Sequence, residues 1–232
     1  MTHLYLSFNQ LTHIDASALT SPNLTYICLS HNNLTSISDI QFPSSLTRLY
    51  AYYNDITYFS ALNFTNPNTN SLTSLYLSGN PISNISSDAF SNLKHLTLLD
   101  MVRAQLTSLD TTTTSLPSSL KELYLSHNPL STISGDVFTN LTHLTTLYLD
   151  NTRLTRLPLA ITSLENLDTL RLNSIPSLTC SCSEAGVASW YENRTQDLKQ
   201  AGHVFWLDGE CVGGSGVKFF LEQLAPQCPP IS

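Results

Sequence analysis

Residues 120–130 read Leu120-Lys-Glu-Leu123-Tyr-Leu125-Ser-His-Asn128-Pro-Leu130, with leucine at positions 1, 4, 6 and 11 and asparagine at 9. The phrase returns from Met1, Leu24, Leu46, Leu72, Leu96, Leu144 and Leu167, in steps of 23, 22, 26, 24, 24, 24 and 23 residues. Alternating leucines predict a short strand, with positions 4 and 6 turned inward and the residues between them outward. The asparagine falls where the chain leaves the strand, where its amide can satisfy turn backbone. Five residues after it come Ile14, Ile37, Phe59, Ile85, Leu109, Ile133 and Leu157, and ten after it Leu19, Phe42, Phe64, Phe90 and Phe138. No unit of this size buries its own apolar face, so neighbours stack into one continuous core. Ala104 and Thr152 stand in place of the asparagine. A threonine is expected to replace one hydrogen bond there, an alanine none.

A phrase of this content and period, with a phenylalanine in its second half, resembles the extracellular leucine-rich repeats. Examples are Toll-like receptors, the variable lymphocyte receptors of jawless fish, adhesion proteins and receptor-kinase ectodomains. The Pro-Ser-Ser-Leu phrases at Pro43–Leu46 and Pro117–Leu120 resemble bacterial ubiquitin-ligase effectors, whose shorter repeats carry no cysteine cap. The resemblance covers residues 1–177 and implies an α/β solenoid. That means a horseshoe with a parallel concave β-sheet of about eight strands and an irregular or short-helical convex side. Such a fold hosts many unrelated ligands.

Charged residues make up only 12% of the 232, and the net charge is −7. With no basic stripe, nucleic acid is not an expected partner. No apolar run of 18 residues or more offers a membrane span, although one could follow Ser232. The chain opens mid-repeat without an amino-terminal cap, which reads as a fragment that has lost its start.

Four of the five cysteines follow the last repeat: Cys180, Cys182, Cys211 and Cys228. Sequence alone allows three disulfide pairings, and a structural zinc site is the rival use of four thiols. The C-x-C pair followed by two distant cysteines resembles the carboxy-terminal cap of extracellular repeat proteins. That resemblance implies bridges Cys180–Cys211 and Cys182–Cys228 over residues 178–232, with Trp190 as the cap tryptophan. A cap helix would start at Ser183 and run to about Asn193, and Val217–Ala225 reads as a second helical piece. Disulfides need an oxidising compartment. Sequons at Asn23, Asn33, Asn63, Asn84, Asn140 and Asn193 agree with an extracellular or cell-surface glycoprotein.

Reading outward positions down the stack gives four columns. Position 5 runs Tyr5, Cys28, Tyr50, Tyr76, Asp100, Tyr124, Tyr148, Arg171. Position 3 carries His3, Tyr26, Arg48, Ser74, Leu98, Glu122, Thr146 and Thr169, position 7 includes Ser30, Tyr52, Val102, Ser126 and Asp150, and position 8 includes Tyr53, Arg103 and His127. Eight of the ten tyrosines fall on this face, where they suit binding or serve as repeat filler. The candidate ligand residues are Tyr26, Arg48, Tyr50, Tyr52, Tyr53, Tyr76, Leu98, Asp100, Val102, Arg103 and Tyr124. Cys28 is the fifth cysteine, either shielded between aromatic neighbours or poised to pair outside this chain.

No nucleophile, base and orienter converge, and His31 and His127 are four repeats apart. Asp100, Glu122 and Asp150 read as separate surface carboxylates. The expectation is therefore a non-enzymatic, cofactor-free and metal-free module that recognises a protein or peptide on its concave face. It would be part of a receptor ectodomain. The alternatives are a secreted or wall-associated adhesion or inhibitor protein, or the sensing region of a receptor kinase involved in signal transduction.

Overall fold

Leucines at positions 4 and 6 cannot both be buried unless the strand between them lies flat on a core, and that requirement sets the architecture. The computed structural model describes residues 1–66, 70–110, 115–181 and 185–225. Strands are numbered along the chain. The concave sheet is parallel throughout and joins β1 (His3–Tyr5), β2 (Tyr26–Cys28), β4 (Arg48–Tyr50), β7 (Ser74–Tyr76), β9 (Leu98–Asp100), β11 (Glu122–Tyr124), β13 (Thr146–Tyr148), β14 (Thr169–Leu172) and β15 (Trp206–Gly209). Its register pairs like positions, so Tyr50 faces Tyr76 and Leu49 faces Leu75. The convex side carries two-residue pairs: β3 (Gln41–Phe42) with β6 (Asn63–Phe64), β5 (Tyr58–Phe59) with β8 (Asn84–Ile85), and β10 (Ser108–Leu109) with β12 (Thr132–Ile133). Phenylalanines fill the space between the two sides; Phe42 meets Phe64 at 6.1 Å and Phe59 meets Phe90 at 5.4 Å.

The asparagines form a ladder through this core. Asn54 donates from Nδ2 to Ala51 O and to Leu29 O one repeat earlier, and its Oδ1 accepts the Leu34 amide. Asn32, Asn80 and Asn128 repeat the arrangement. Where Ala104 interrupts it, the Ile82 amide donates to Asn80 O instead, at 2.8 Å. The backbone has closed on itself, so this amide is paired although the alanine supplies no hydrogen bond. The expectation for Thr152 is also corrected: its buried hydroxyl has no hydrogen-bond partner. Threonine is one bond shorter than asparagine and does not reach the carbonyls.

A second ladder runs along position 2. The hydroxyls of Thr25, Thr47, Thr73, Thr97 and Thr145 each donate to the position-2 carbonyl one repeat earlier, at 2.8–3.2 Å. Position 8 is in the left-handed region in every repeat: Phe8, His31, Tyr53, Arg103, His127, Asn151 and Ser174 have φ of 54–60°, and Gly79 has 71°. At this point the chain turns out of the strand toward the buried asparagine. At Gly79 a Cβ would also meet the Tyr53 ring at 2.6 Å.

The cap closes the last repeat through an arginine. Helix α1 (Ala185–Gln200) packs against the 3-10 turn Leu159–Ser163. It presents Arg194, whose Nε donates to Leu167 O and whose Nη2 donates to Asp168, both at 2.8 Å. The helix runs seven residues beyond the expected end at Asn193, because Leu198 is buried and holds the final turn down. Trp190 and Tyr191 both pack edge-on against Phe205. The Tyr191 hydroxyl donates to Glu222 in the π-turn Phe220–Leu224, which follows the short helix α2 (Val217–Phe219). Cys180 and Cys211 are bridged, with Cα atoms 5.7 Å apart. Cys182, Cys228 and the expected N-cap Ser183 lie outside the described residues. Strand β15 is unforeseen: the cap itself extends the concave sheet. Gly209 at its end has φ 153°, and a Cβ there would meet Leu172 Cβ at 2.8 Å.

Candidate functional site

On the concave sheet, neighbouring strands bring the position-5 side chains within ring contact of one another. Tyr50 and Tyr76 stack at 4.3 Å with their planes 5° apart. Tyr52 meets both edge-on, at 5.6 and 6.1 Å, and touches Tyr53 at 6.4 Å. Cys28 leaves a gap in the column, and Tyr26 leans across from position 3 to fill it, 5.1 Å from Tyr5 and 4.9 Å from Tyr50. The thiol beneath is only 8% exposed and is free. Cys28 is therefore shielded by aromatic neighbours.

Burial raises the hydroxyl pKa values of Tyr26, Tyr52 and Tyr76, and neighbouring ionisable groups add to the effect. Tyr26 is pushed upward; Tyr52 and Tyr76 are each pushed to about 12. These hydroxyls stay protonated at neutral pH, so each is able both to donate and to accept a hydrogen bond to a ligand. Beside the cluster, Phe8, His31 and Tyr53 stack along position 8 at 4.2 and 4.7 Å.

The ladder then breaks. Asp100 occupies position 5 of β9, between Tyr76 on β7 and Tyr124 on β11. Its Oδ1 accepts the Val102 amide at 3.0 Å. Glu122 Oε2 accepts the Tyr124 hydroxyl at 2.5 Å. Burial, this bond and the Glu122 charge hold the Tyr124 hydroxyl well above the usual tyrosine range. Past the break, Tyr124 meets Tyr148 edge-on at 4.9 Å, and the Arg171 guanidinium lies over Tyr148 at 4.8 Å. Arg171 Nε is 3.1 Å from Asp150 Oδ2 but is not aligned for a hydrogen bond, which makes the contact an ion pair.

The structure brings the eleven expected residues onto one face, with two corrections to depth. Arg48, Tyr53 and Arg103 are exposed, whereas Tyr26, Tyr50, Tyr52, Tyr76, Leu98, Asp100, Val102 and Tyr124 are half-buried by one another. Position 7 is not a solvent column: Ser30 is 1% exposed and Asp150 8%. Small side chains between tall neighbours are covered, and Asp150 also accepts the Asn173 amide at 2.9 Å. Asp150 is a structural group. Trp206 escaped the sequence reading. It stands on β15 in register with Thr169 and is 63% exposed, so it prolongs the position-3 column. The only signal was the Phe205–Asp208 alternation, because the segment lacks the repeat phrase. The six sequon asparagines are all exposed and lie in no concave column.

The leucine rich repeat family model matches residues 1–56, 70–130 and 118–174. Among curated proteins none matches the sequence. The crystal structure of a TLR13–ssRNA13 complex aligns with TM-score 0.63 at 25% identity, over 77% of this chain and 28% of that one. An LRR protein of Leptospira interrogans aligns with TM-score 0.58 at 19% identity, over 82% of this chain and 44% of the other. A chain from the octameric complex of Latrophilin 3, Unc5D and FLRT2 aligns with TM-score 0.51 at 20% identity, over 98% and 91%. The chain thus spans 28% of the length of the first of these proteins.

Proposed function

Because this chain belongs to the leucine-rich repeat family, we propose that it is a protein- or peptide-recognition module whose ligand docks on the concave sheet. The observation that carries this reading is the contiguous tyrosine cluster Tyr26, Tyr50, Tyr52, Tyr53 and Tyr76, flanked by exposed Arg48 and Arg103. Tyrosine and arginine are the residue types that dominate interface hot spots. The net charge of −7 favours a protein ligand over a polyanion, although TLR13 is described with ssRNA. The Cys180–Cys211 bridge and the exposed sequons fit an extracellular location, part of a receptor ectodomain. The repeats 1–177 would carry recognition, and 178–232 would seal their end, with Cys182–Cys228 as a second bridge.

Binders selected from a peptide-display library on the native chain supply the test. Tyr52→Ala and Arg103→Ala should each weaken them by at least ~2 kcal/mol, about thirtyfold. Asn63→Asp and Asn140→Asp, away from the concave sheet, are the controls. Binders that ignore both truncations and respond to the controls would overturn the concave-face reading, and preferential capture of single-stranded RNA would overturn the ligand class.

A further inference from the structure

Position 5 builds a ladder of rings, and at one rung the ring is missing. Adjacent strands place rings 4.3 Å apart at Tyr50 and Tyr76. Tyr76 and Tyr124 are two strands apart, roughly 9.6 Å at the usual strand spacing, with Asp100 between them. By strand spacing, that interval is wide enough for one planar group above the Asp100 carboxylate. Glu122 lies one residue pair away and is anchored by the Tyr124 hydroxyl. Neither Asp100 nor Glu122 takes part in any ion pair among the described residues.

The same column shows what fills such a rung. Three strands on, the next position after Tyr148 is occupied by a guanidinium: Arg171 lies 4.8 Å over the Tyr148 ring and 3.1 Å from the Asp150 carboxylate. Ring, carboxylate and planar cation form a complete set there. At Asp100 the rings and carboxylates are present, and among the described residues no cation is paired with either carboxylate. Arginine suits the vacancy better than lysine, because its flat guanidinium stacks on aromatic faces while engaging a carboxylate with paired donors.

We propose that the break in the ladder is a seat for an arginine side chain of the ligand, held between Tyr76 and Tyr124 with its guanidinium on Asp100 and Glu122. The proposal rests on the concave-face reading and makes it specific: the ligand is a protein or peptide that projects an arginine. Leu98 and Val102, half-buried on either side of Asp100, would receive the aliphatic stem.

The capped pentapeptide Gly-Ser-Arg-Ser-Gly is the probe, compared with its citrulline counterpart, which keeps the shape and loses the charge. Assigned tyrosine ring resonances of the native chain report binding. The arginine peptide should shift Tyr76 and Tyr124 saturably, and the citrulline peptide should bind at least tenfold more weakly. Asp100→Asn retains the acceptor for the Val102 amide and so preserves the fold; it should weaken binding at least fivefold. Asp100→Tyr supplies the missing ring and should abolish binding. Equal binding of the citrulline peptide, indifference to Asp100→Asn, or no response at Tyr76 and Tyr124 would each overturn the proposal. Shifts confined to Tyr26, Tyr50 and Tyr52 would overturn it while leaving the concave-face reading intact, as would display-selected binders that need Tyr52 but not Asp100. Loss of the concave-face reading itself would appear as insensitivity to Tyr52→Ala and Arg103→Ala.

Discussion

Replacing Asn128 by alanine should be the costliest single change in the asparagine ladder. The side chain is 1% exposed. Its Oδ1 accepts the Leu106 amide at 3.1 Å, and its Nδ2 donates to Leu125 O at 2.8 Å and Met101 O at 2.9 Å. The neighbouring rungs are Ala104 and Thr152, neither of which bonds these carbonyls, so no second donor is at hand. Asn54 is the contrast. Leu29 O is also served by Asn32 at 2.9 Å, and Ala51 O by Asn80 at 2.8 Å, so Asn54→Ala strands the Leu34 amide alone. At about 1–3 kcal/mol per stranded buried group, Asn54→Ala costs about 1–3 kcal/mol. Asn128→Ala strands three groups and costs about 3–6 kcal/mol after the kind of backbone closure seen at Ile82 trims the upper end. Repeats open locally, so native-state amide exchange at Leu106 and Leu34 is the local readout and the urea midpoint the global one. An Asn54→Ala midpoint as low as that of Asn128→Ala would refute the shared-carbonyl argument.

Gly79→Ala should destabilise by about 1–3 kcal/mol, from its left-handed backbone and the Tyr53 ring. Removing that ring with Tyr53→Ala should recover part of the loss in urea melts, and strict additivity would contradict this. Cys180→Ser opens the bridge to Cys211, 31 residues away, worth about 3–4 kcal/mol of chain entropy. Amides in α1 should then exchange before those of the repeats, and unchanged protection there would count against it. Tyr52 and Tyr76 are pushed to about 12 in the folded state from the ordinary tyrosine value of 10.0, so the folded state holds these protons more tightly. Their contribution to stability is complete below pH 10 and is lost as pH climbs through 12, which a falling urea midpoint and late phenolate absorbance at 295 nm would track. Phenolate absorbance rising in a single step centred on pH 10.0, with no later phase, would contradict it.

The repeats were legible because the same information is written eight times: each Leu-x-Leu phrase fixes a strand, and the register follows from stacking like on like. Depth on the outward face was not legible. Whether Ser30 or Asp150 is covered depends on the height of residues two dozen positions away, and nothing local records that. The meaning of Ala104 was half legible: a missing amide could be read, whereas the Ile82 amide turning back to Asn80 is a backbone adjustment without a sequence signature. Strand β15 was hidden because it pairs through main-chain groups and carries no Leu-x-x-Asn ending. The tyrosine cluster could be placed on its face by register, but Tyr26 bridging over Cys28 emerges only once ring positions are known.

The left-handed column at position 8 makes diversification lopsided. Seven side-chain-bearing residues there each forgo about 1–2 kcal/mol of backbone ease that glycine would recover. A lineage selected for robustness alone would drift toward glycine or asparagine in this stripe, as Gly79 and Asn151 illustrate. Phe8, His31, Tyr53, Arg103 and His127 run against that drift. New chemistry tried at position 8 therefore begins from an already strained baseline, and substitution by glycine stabilises wherever the lost stacking is small. Along this solenoid, that is the stripe where side chains can be exchanged with the scaffold left standing.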